Sequence, residues 1–151
     1  MDIVLTEVGA DHEDLHGLIE KLDREIGEMY PAEGIFGVDF SDPMVHEMVF
    51  VVAYRGNQPV GCGGIRPLDA DSVELKRFFV DRKHRGQGIA SSVLVYLEGV
   101  ARDRGYRLVK LETGPKQPEA IALYEKYGYR QIPLFGDYND SRYSVCYEKA
   151  I

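Results

Sequence analysis

Apolar side chains recur along this chain in two rhythms, and the points where one gives way to the other divide it into elements. Ile3 to Val8 reads as a first strand. Leu15, Leu18, Ile19, Leu22, Ile26 and Met29 then fall at the helical period, which predicts a helix from a cap at Asp11 to about Met29 with an acidic opposite face. Between Tyr30 and His46 the breakers Pro31, Gly34, Gly37 and Pro43 interrupt any pattern, so a mobile loop or short helix is expected there. Met48 to Tyr54 is a continuous apolar strand, turned at Gly56 and Asn57 into a partner strand from Val60 to Arg66. Val73 to Val80 is a further strand. A helix carrying Ile89, Val93, Leu94, Leu97 and Val100 on its core face follows and ends at about Arg104, before Gly105. Leu108 to Glu112 is again a strand, and Pro118 opens a short helix that stops at Gly128. Tyr129 to Ile132 and Arg142 to Glu148 complete the pattern. Antiparallel strands followed by a strand-helix-strand crossover predict an α+β fold, a mixed and mostly antiparallel twisted sheet of six to seven strands flanked by about four helices.

The 151 residues suffice for one domain with a buried core. The longest apolar run, Met48 to Tyr54, is far short of the roughly 20 residues of a membrane-spanning helix. Met1 to Glu7 lacks the basic cluster of a leader peptide, and the expected location is cytoplasmic. Cys62 and Cys146 lie too far apart to suggest a zinc cage or a disulfide scaffold, so both are expected to be reduced and buried. A net charge of -7 argues against a nucleic-acid partner. Its distribution is uneven: residues 1–50 carry 13 acids against Lys21 and Arg24, whereas residues 51–151 carry 12 acids and 16 bases. Lys76, Arg77, Arg82, Lys83 and Arg85 concentrate positive charge within ten residues that contain one acid, Asp81.

That basic spot leads into Arg85-Gly86-Gln87-Gly88-Ile89-Ala90, between a strand and a helix. Glycines there let main-chain amides face outward, and unpaired amides at a helix start favour a phosphate or diphosphate. A Walker A loop requires Gly-x-x-x-x-Gly-Lys and Ser or Thr, which the chain lacks. A dinucleotide fingerprint would place a third glycine where Ser91 stands and begin directly after the strand, although Glu112 is at a tolerable distance for a ribose contact.

The loop also resembles the Gln/Arg-x-x-Gly-x-Gly/Ala signature of the GNAT superfamily of acetyl-CoA-dependent N-acetyltransferases. Glu74 to Val80 looks like that family's fourth strand, and Ala120 to Tyr129 like its last helix and the strand after it. The match spans residues 48–148, the expected coenzyme A-binding core; residues 1–47 match in pattern only and would form the variable acceptor side of a domain covering 1–151. The resemblance implies acetyl transfer from acetyl-CoA to an amine by direct attack, no metal, and a homodimer as a plausible assembly. It places the diphosphate on Arg85, Gly86, Gln87, Gly88, Ile89 and Ala90, and the pantetheine along Phe79 and Val80. A backbone amide near Phe79 could also stabilise the oxyanion. Where the family commonly has asparagine before the last helix, Gln117 stands here and could contact the pantetheine.

An alkylamine with a pKa near 10.4 is held deprotonated at neutral pH at a cost of about 4 kcal/mol, so a carboxylate base is expected. Glu74 resembles the glutamate that some members place six residues before the strand valine, here Val80; Glu112 is the alternative, and pairing of Glu74 with Lys76 is the structural reading. Tyr124 resembles the tyrosine that protonates the departing thiolate. Phe135, Tyr138, Tyr143 and Tyr147 could line an acceptor pocket or pack the strands. The acidic first third suggests a cationic acceptor. His12-Glu13-Asp14-Leu15-His16 matches the zinc-protease pattern His-Glu-x-x-His, but no third ligand follows and a solvated helix flank is the expected role. Two other classes stay open: a coenzyme A-binding sensor without turnover, and a dinucleotide-binding protein.

Overall fold

In the computed structural model, which describes residues 2–151, the first strand β1 (Ile3–Val8) pairs antiparallel with β2 (Val49–Arg55). A tight turn with Gly56 at φ +61° returns the chain as β3 (Gln58–Pro67), which pairs antiparallel with β2 and with β4 (Ser72–Val80). Crossing over through a helix forces the next strand, β5 (Leu108–Thr113), to lie parallel to β4. β7 (Val145–Ala150) and β6 (Arg130–Ile132) finish the sheet antiparallel, in the order β1-β2-β3-β4-β5-β7-β6. The α+β class expected from the pattern is therefore the observed one.

Helices cover both faces, which explains why β2 reads as unbroken apolar residues. Val49, Val51 and Ala53 face Val93, Leu94 and Leu97 of α2 (Ile89–Asp103), together with Tyr124 of α3 (Pro118–Lys126). Phe50 and Val52, on the other face, meet Leu15, Leu18, Ile19 and Leu22 of α1 (Glu13–Gly27). No described helix is long and apolar enough to cross a membrane.

Several boundaries differ from the sequence pattern. The cap of α1 is His12, not Asp11: the Asp14 amide donates to His12 Nδ1 at 3.2 Å. α1 stops at Gly27, and the segment after it forms two short 3-10 turns, Ala32–Gly34 and Pro43–Glu47. Three α-helices and four short 3-10 turns thus stand, among the described residues, where about four helices were expected. β7 begins at Val145 rather than Arg142, because the Ser141 and Ser144 hydroxyls bond each other at 2.7 Å and the Tyr143 amide bonds Ser141 Oγ, folding the segment into a turn.

The feature that shapes the site is a bulge in β4. Cys62 pairs with Phe79 but Gly64 with Lys76, so β4 carries one residue more than β3 across this stretch. Arg77 absorbs it at φ +54°, in the left-handed region that non-glycine residues rarely occupy. Only Ser72 to Glu74 pair with β5, so beyond Glu74 the two parallel strands separate.

Beside the bulge, Gly63 admits α2 so closely that an added Cβ would lie 3.1 Å from Leu97 Cδ1 and 3.2 Å from Val93 Cγ1. Gly63→Ala is expected to lower stability by about 1–3 kcal/mol, and the double variant with Leu97→Ala to lose less than the two single losses added together. Chemical denaturation of the four proteins of this cycle measures the coupling, and strict additivity would contradict the packing described.

Candidate active site

The glycine loop has the backbone that its sequence suggested. Gly86 and Gly88 sit at φ +77° and +81° with open space where a Cβ would be, so the requirement for glycine there is conformational and not steric. Helix α2 begins directly after Gly88, and its ladder opens with the Ser92 amide donating to Gly88 O at 3.1 Å. The amides of Ile89, Ala90 and Ser91 are therefore left without helical acceptors, at the positive end of the helix.

Arg85 braces this loop against the strand: its Nε donates to Val80 O at 2.9 Å and its guanidinium lies 5.6 Å from the centre of the Phe79 ring. Arg85 and Arg82 together hold Glu25 of α1, at 2.7 and 2.9 Å. Burial alone would raise the Glu25 carboxyl, but the two guanidiniums outweigh it and keep the pKa below its ordinary value. Arg77 pairs with Asp23 at 2.6 Å, and Lys21 with Asp81 at 2.7 Å. Two acids of α1, Asp23 and Glu25, thus neutralise cations of β4 and of the loop that follows it, while Lys21 of the same helix answers Asp81 in the opposite sense.

A cleft of about 650 Å³ runs from this loop through the gap between β4 and β5 to the 3-10 turn after α1. Of the residues singled out in the sequence, Phe79, Val80, Arg85, Gly86, Gly88, Ile89, Ala90, Gln117 and Tyr124 line it. Gln87 and Glu74 are absent from that lining. The Gln87 carboxamide oxygen instead accepts from Arg55. Glu74 is 1% exposed and lies inside the sheet, accepting from Arg66 Nη2 at 2.5 Å and from the Tyr138 hydroxyl, with Lys76 Nζ at 3.7 Å.

Glu112, near the end of β5, does line the cleft. Burial raises its pKa; a hydrogen bond from Ser144 Oγ at 2.6 Å and the nearby Lys76 oppose that rise. Tyr124 is also there, tilted against Phe78 with ring centres 5.9 Å apart, and burial, then the Glu112 charge, push its phenol up. Gln117 closes the turn before α3: its Oε1 accepts from the Gly114 amide at 3.2 Å. Tyr143 lines the cleft, whereas Tyr138 bonds Glu74 and Tyr147 belongs to the core.

Sequence reasoning missed Tyr30, Ser144 and the particular role of Arg77. The Tyr30 hydroxyl accepts from the Lys116 amide at 2.8 Å and occupies the space that a Cβ on Gly114 would need. No periodicity marks such a contact, because it joins a loop to a turn 86 residues later. The two histidines of the zinc-protease pattern are used locally: His12 caps α1, and His16 Nε2 lies 2.6 Å from Ala10 O with its ring edge-on to Phe40.

A helix start with unpaired amides, a parted pair of parallel strands beside it, and a carboxylate and a tyrosine lining the same cleft are thus brought together in one place. The chain belongs to the acetyltransferase (GNAT) family, whose model matches residues 15–129. It is 38% identical over 136 residues to an IAA acetyltransferase of Azospirillum brasilense, covering 89% of this chain and 88% of that one. An uncharacterized N-acetyltransferase of Bacillus subtilis is 31% identical over 125 residues, covering 82% and 83%. Among solved structures, an acyl-CoA N-acyltransferase candidate from Klebsiella pneumoniae aligns with a TM-score of 0.86 at 30% identity, over 98% of this chain and 97% of that one. PaiA N-acetyltransferase of Thermoplasma acidophilum, solved with coenzyme A, shares the fold at a TM-score of 0.74 and 17% identity, with both chains fully covered. The protein is an acyltransferase.

Neither thiol is placed to react. Cys62 and Cys146 are buried and unpaired, and burial pushes their pKa values up to about 12 and about 11. At pH 8 a thiol-reactive dye should therefore label neither in the native protein and both after denaturation. Rapid labelling of the folded chain would contradict this placement.

Proposed function

We propose that this acyltransferase moves the acetyl group of acetyl-CoA onto a primary amine by direct attack on the thioester, with Glu112 as the general base and Tyr124 as the acid facing the departing sulfur. The observation that carries the reading is the position of Glu112 in the gap between β4 and β5, in the same cleft as Tyr124 and the glycine loop. The solved relative with coenzyme A bound supports the choice of carrier.

The residues present suit that carrier. Ile89, Ala90 and Ser91 offer unpaired amides to a diphosphate, with Gly86 and Gly88 turning the loop and Arg85 adding charge. Beyond Glu74, β4 has no strand neighbour on its β5 side, so the edge at Phe79 and Val80 can take the two amides of a pantetheine arm as an added strand would. The thioester supplies the activated acetyl group. An oxyanion formed on it would meet the backbone of the same edge.

An incoming amine arrives as an ammonium ion and must lose a proton before it attacks. Glu112 is suited to accept it. Burial raises the pKa of its carboxyl, which makes it a stronger base than an exposed glutamate, while the bond from Ser144 favours its charged form. The carboxylate also attracts the cationic end of the acceptor. Glu74, held among Arg66, Tyr138 and Lys76, is assigned to positioning the strand beneath the site.

Release of free thiol from acetyl-CoA across a panel of amines tests the reading. Glu112→Gln should lower kcat/KM by about 10²–10⁴, and Tyr124→Phe by roughly tenfold to a hundredfold. Ser144→Ala removes a bond that favours the charged carboxylate, so the pKa of Glu112 should rise and the acidic limb of the pH profile of kcat/KM should move to higher pH. A fully active Glu112→Gln variant would remove the assignment of the base. Tight coenzyme A binding without transfer to any amine would favour the sensor reading instead.

A further inference from the structure

The cations around the cleft differ in how completely the protein satisfies them. Arg82 and Arg85 share Glu25, and Arg85 also reaches Val80 O. Arg77, at the bulge, is different. Its side chain is only 4% exposed, and among the described residues its guanidinium has a single hydrogen-bond acceptor, Asp23 Oδ1, at 2.6 Å from Nη2. A guanidinium carries five N–H donors. Nε is buried without a partner, and Nη1 lies 2.7 Å from where a Cβ on Gly37 would be, so the absence of a side chain at Gly37 leaves room beside it. Asp23 is itself half in solvent, at 51% exposure.

Arg77 also stands where two cavities meet. With Ile35 it walls both the main cleft and a second cavity of about 420 Å³, whose remaining walls include Ile19, Val38, Phe40 and the His16 ring. That second cavity is largely apolar, with Asp23 also among its lining residues. A planar fork of donors with spare capacity, between a reaction cleft and an apolar recess, matches a carboxylate that carries an apolar substituent.

We propose that Arg77 binds a carboxylate of the acceptor, so that the natural acceptor is an amine that also bears a carboxylate, with an apolar side chain entering the recess behind Ile35. This rests on the reading of the cleft as the transfer site. The acceptor then meets opposite charges at its two ends: Glu112 receives the ammonium and Arg77 the carboxylate. Asp23 competes for the same guanidinium, which makes it the counterweight that sets the affinity for the acceptor. The carboxylate takes no part in bond making and remains on the amide product.

The experiment compares apolar amino acids, in an α-, β- and ω-series, with the matching amines that lack the carboxylate. Charged hydrogen bonds of this kind correspond to a preference of roughly tenfold to a hundredfold in kcat/KM for the acids at the best spacing. Arg77→Gln should bring that ratio toward one, and Asp23→Asn, at a half-exposed position, should lower KM for the acids several-fold relative to KM for the simple amines. If Arg77→Gln does not fold, Gly37→Ala, which crowds Nη1, replaces it and should reduce the same ratio. Calorimetric binding of an N-acetyl amino acid and of the corresponding N-acetyl amine to the Glu112→Gln protein reads the subsite without turnover, so failure of the base assignment and failure of this proposal are separable. Equal use of amines with and without the carboxylate, a selective preference for phosphonates or sulfonates over carboxylates, or an Asp23→Asn variant that does not favour acids would each overturn it.

Discussion

Everything at the active cleft depends on one disagreement in strand register. β4 must remain paired with β3 on one side while parting from β5 on the other, and the extra residue at Arg77 makes both possible. A bulge increases local twist and bends the strand that carries it. The consequence is a sheet whose two halves stay continuous at Ser72 to Glu74 and open beyond. Main-chain groups on β4 that would otherwise be tied up in a ladder are left free on that side, and α2, with its unpaired N-terminal amides, starts just beyond the end of β4. A positive φ at a non-glycine residue costs of the order of 1–3 kcal/mol. Here that strain lies at the cleft, and the surrounding core is dense enough to hold it, with Val93, Leu94 and Leu97 fully or almost fully buried above the same strands.

Charge is organised by the same geometry. The excess of acids in the first 50 residues looks, along the sequence, like a field directed at a ligand. In space, Asp23 and Glu25 turn inward to Arg77, Arg82 and Arg85. These pairs bring α1 to the open edge of β4, so that helix and the glycine loop are fixed to each other. In the proposed carrier site a diphosphate would meet arginines already shared with Glu25, so its binding would be an exchange of anionic partners and not the first neutralisation of a bare cation.

Much of this fold was legible because burial on both faces leaves a strong signal. β1 has the limits the pattern indicated, β2 is displaced by a single residue, β4 starts one residue earlier, and Gly105 and Gly128 follow the ends of their helices as read. The glycine loop was legible for a related reason: positive φ values require glycine, and glycine is visible. The cap at His12 was not, because a histidine ring can replace the usual carboxylate oxygen as the acceptor for Asp14 N, and propensity favours Asp11. The bulge was invisible, since Arg77 carries none of the glycine signature that usually marks such a site. Ser144 and Tyr30 were missed because each acts through one long-range hydrogen bond, and such contacts leave no period in the sequence.

The two carboxylates proposed from sequence illustrate the remaining limit. Glu74 and Glu112 lie on neighbouring parallel strands, and each looks like a base when read alone. Their depth separates them. Glu74 is in the paired part of β4, where the strands are still joined, so its charge must be satisfied by protein groups, and Arg66, Lys76 and Tyr138 supply them. Glu112 is two residues beyond the last β5 residue paired to β4, where the strands have begun to part, so one protein hydroxyl meets it on one side and the cleft lies on the other. A carboxylate enclosed by protein partners suits a structural role, whereas one that faces the cleft suits the base proposed above. The register of a sheet, more than the identity of the residue, thus decides which glutamate faces the cleft.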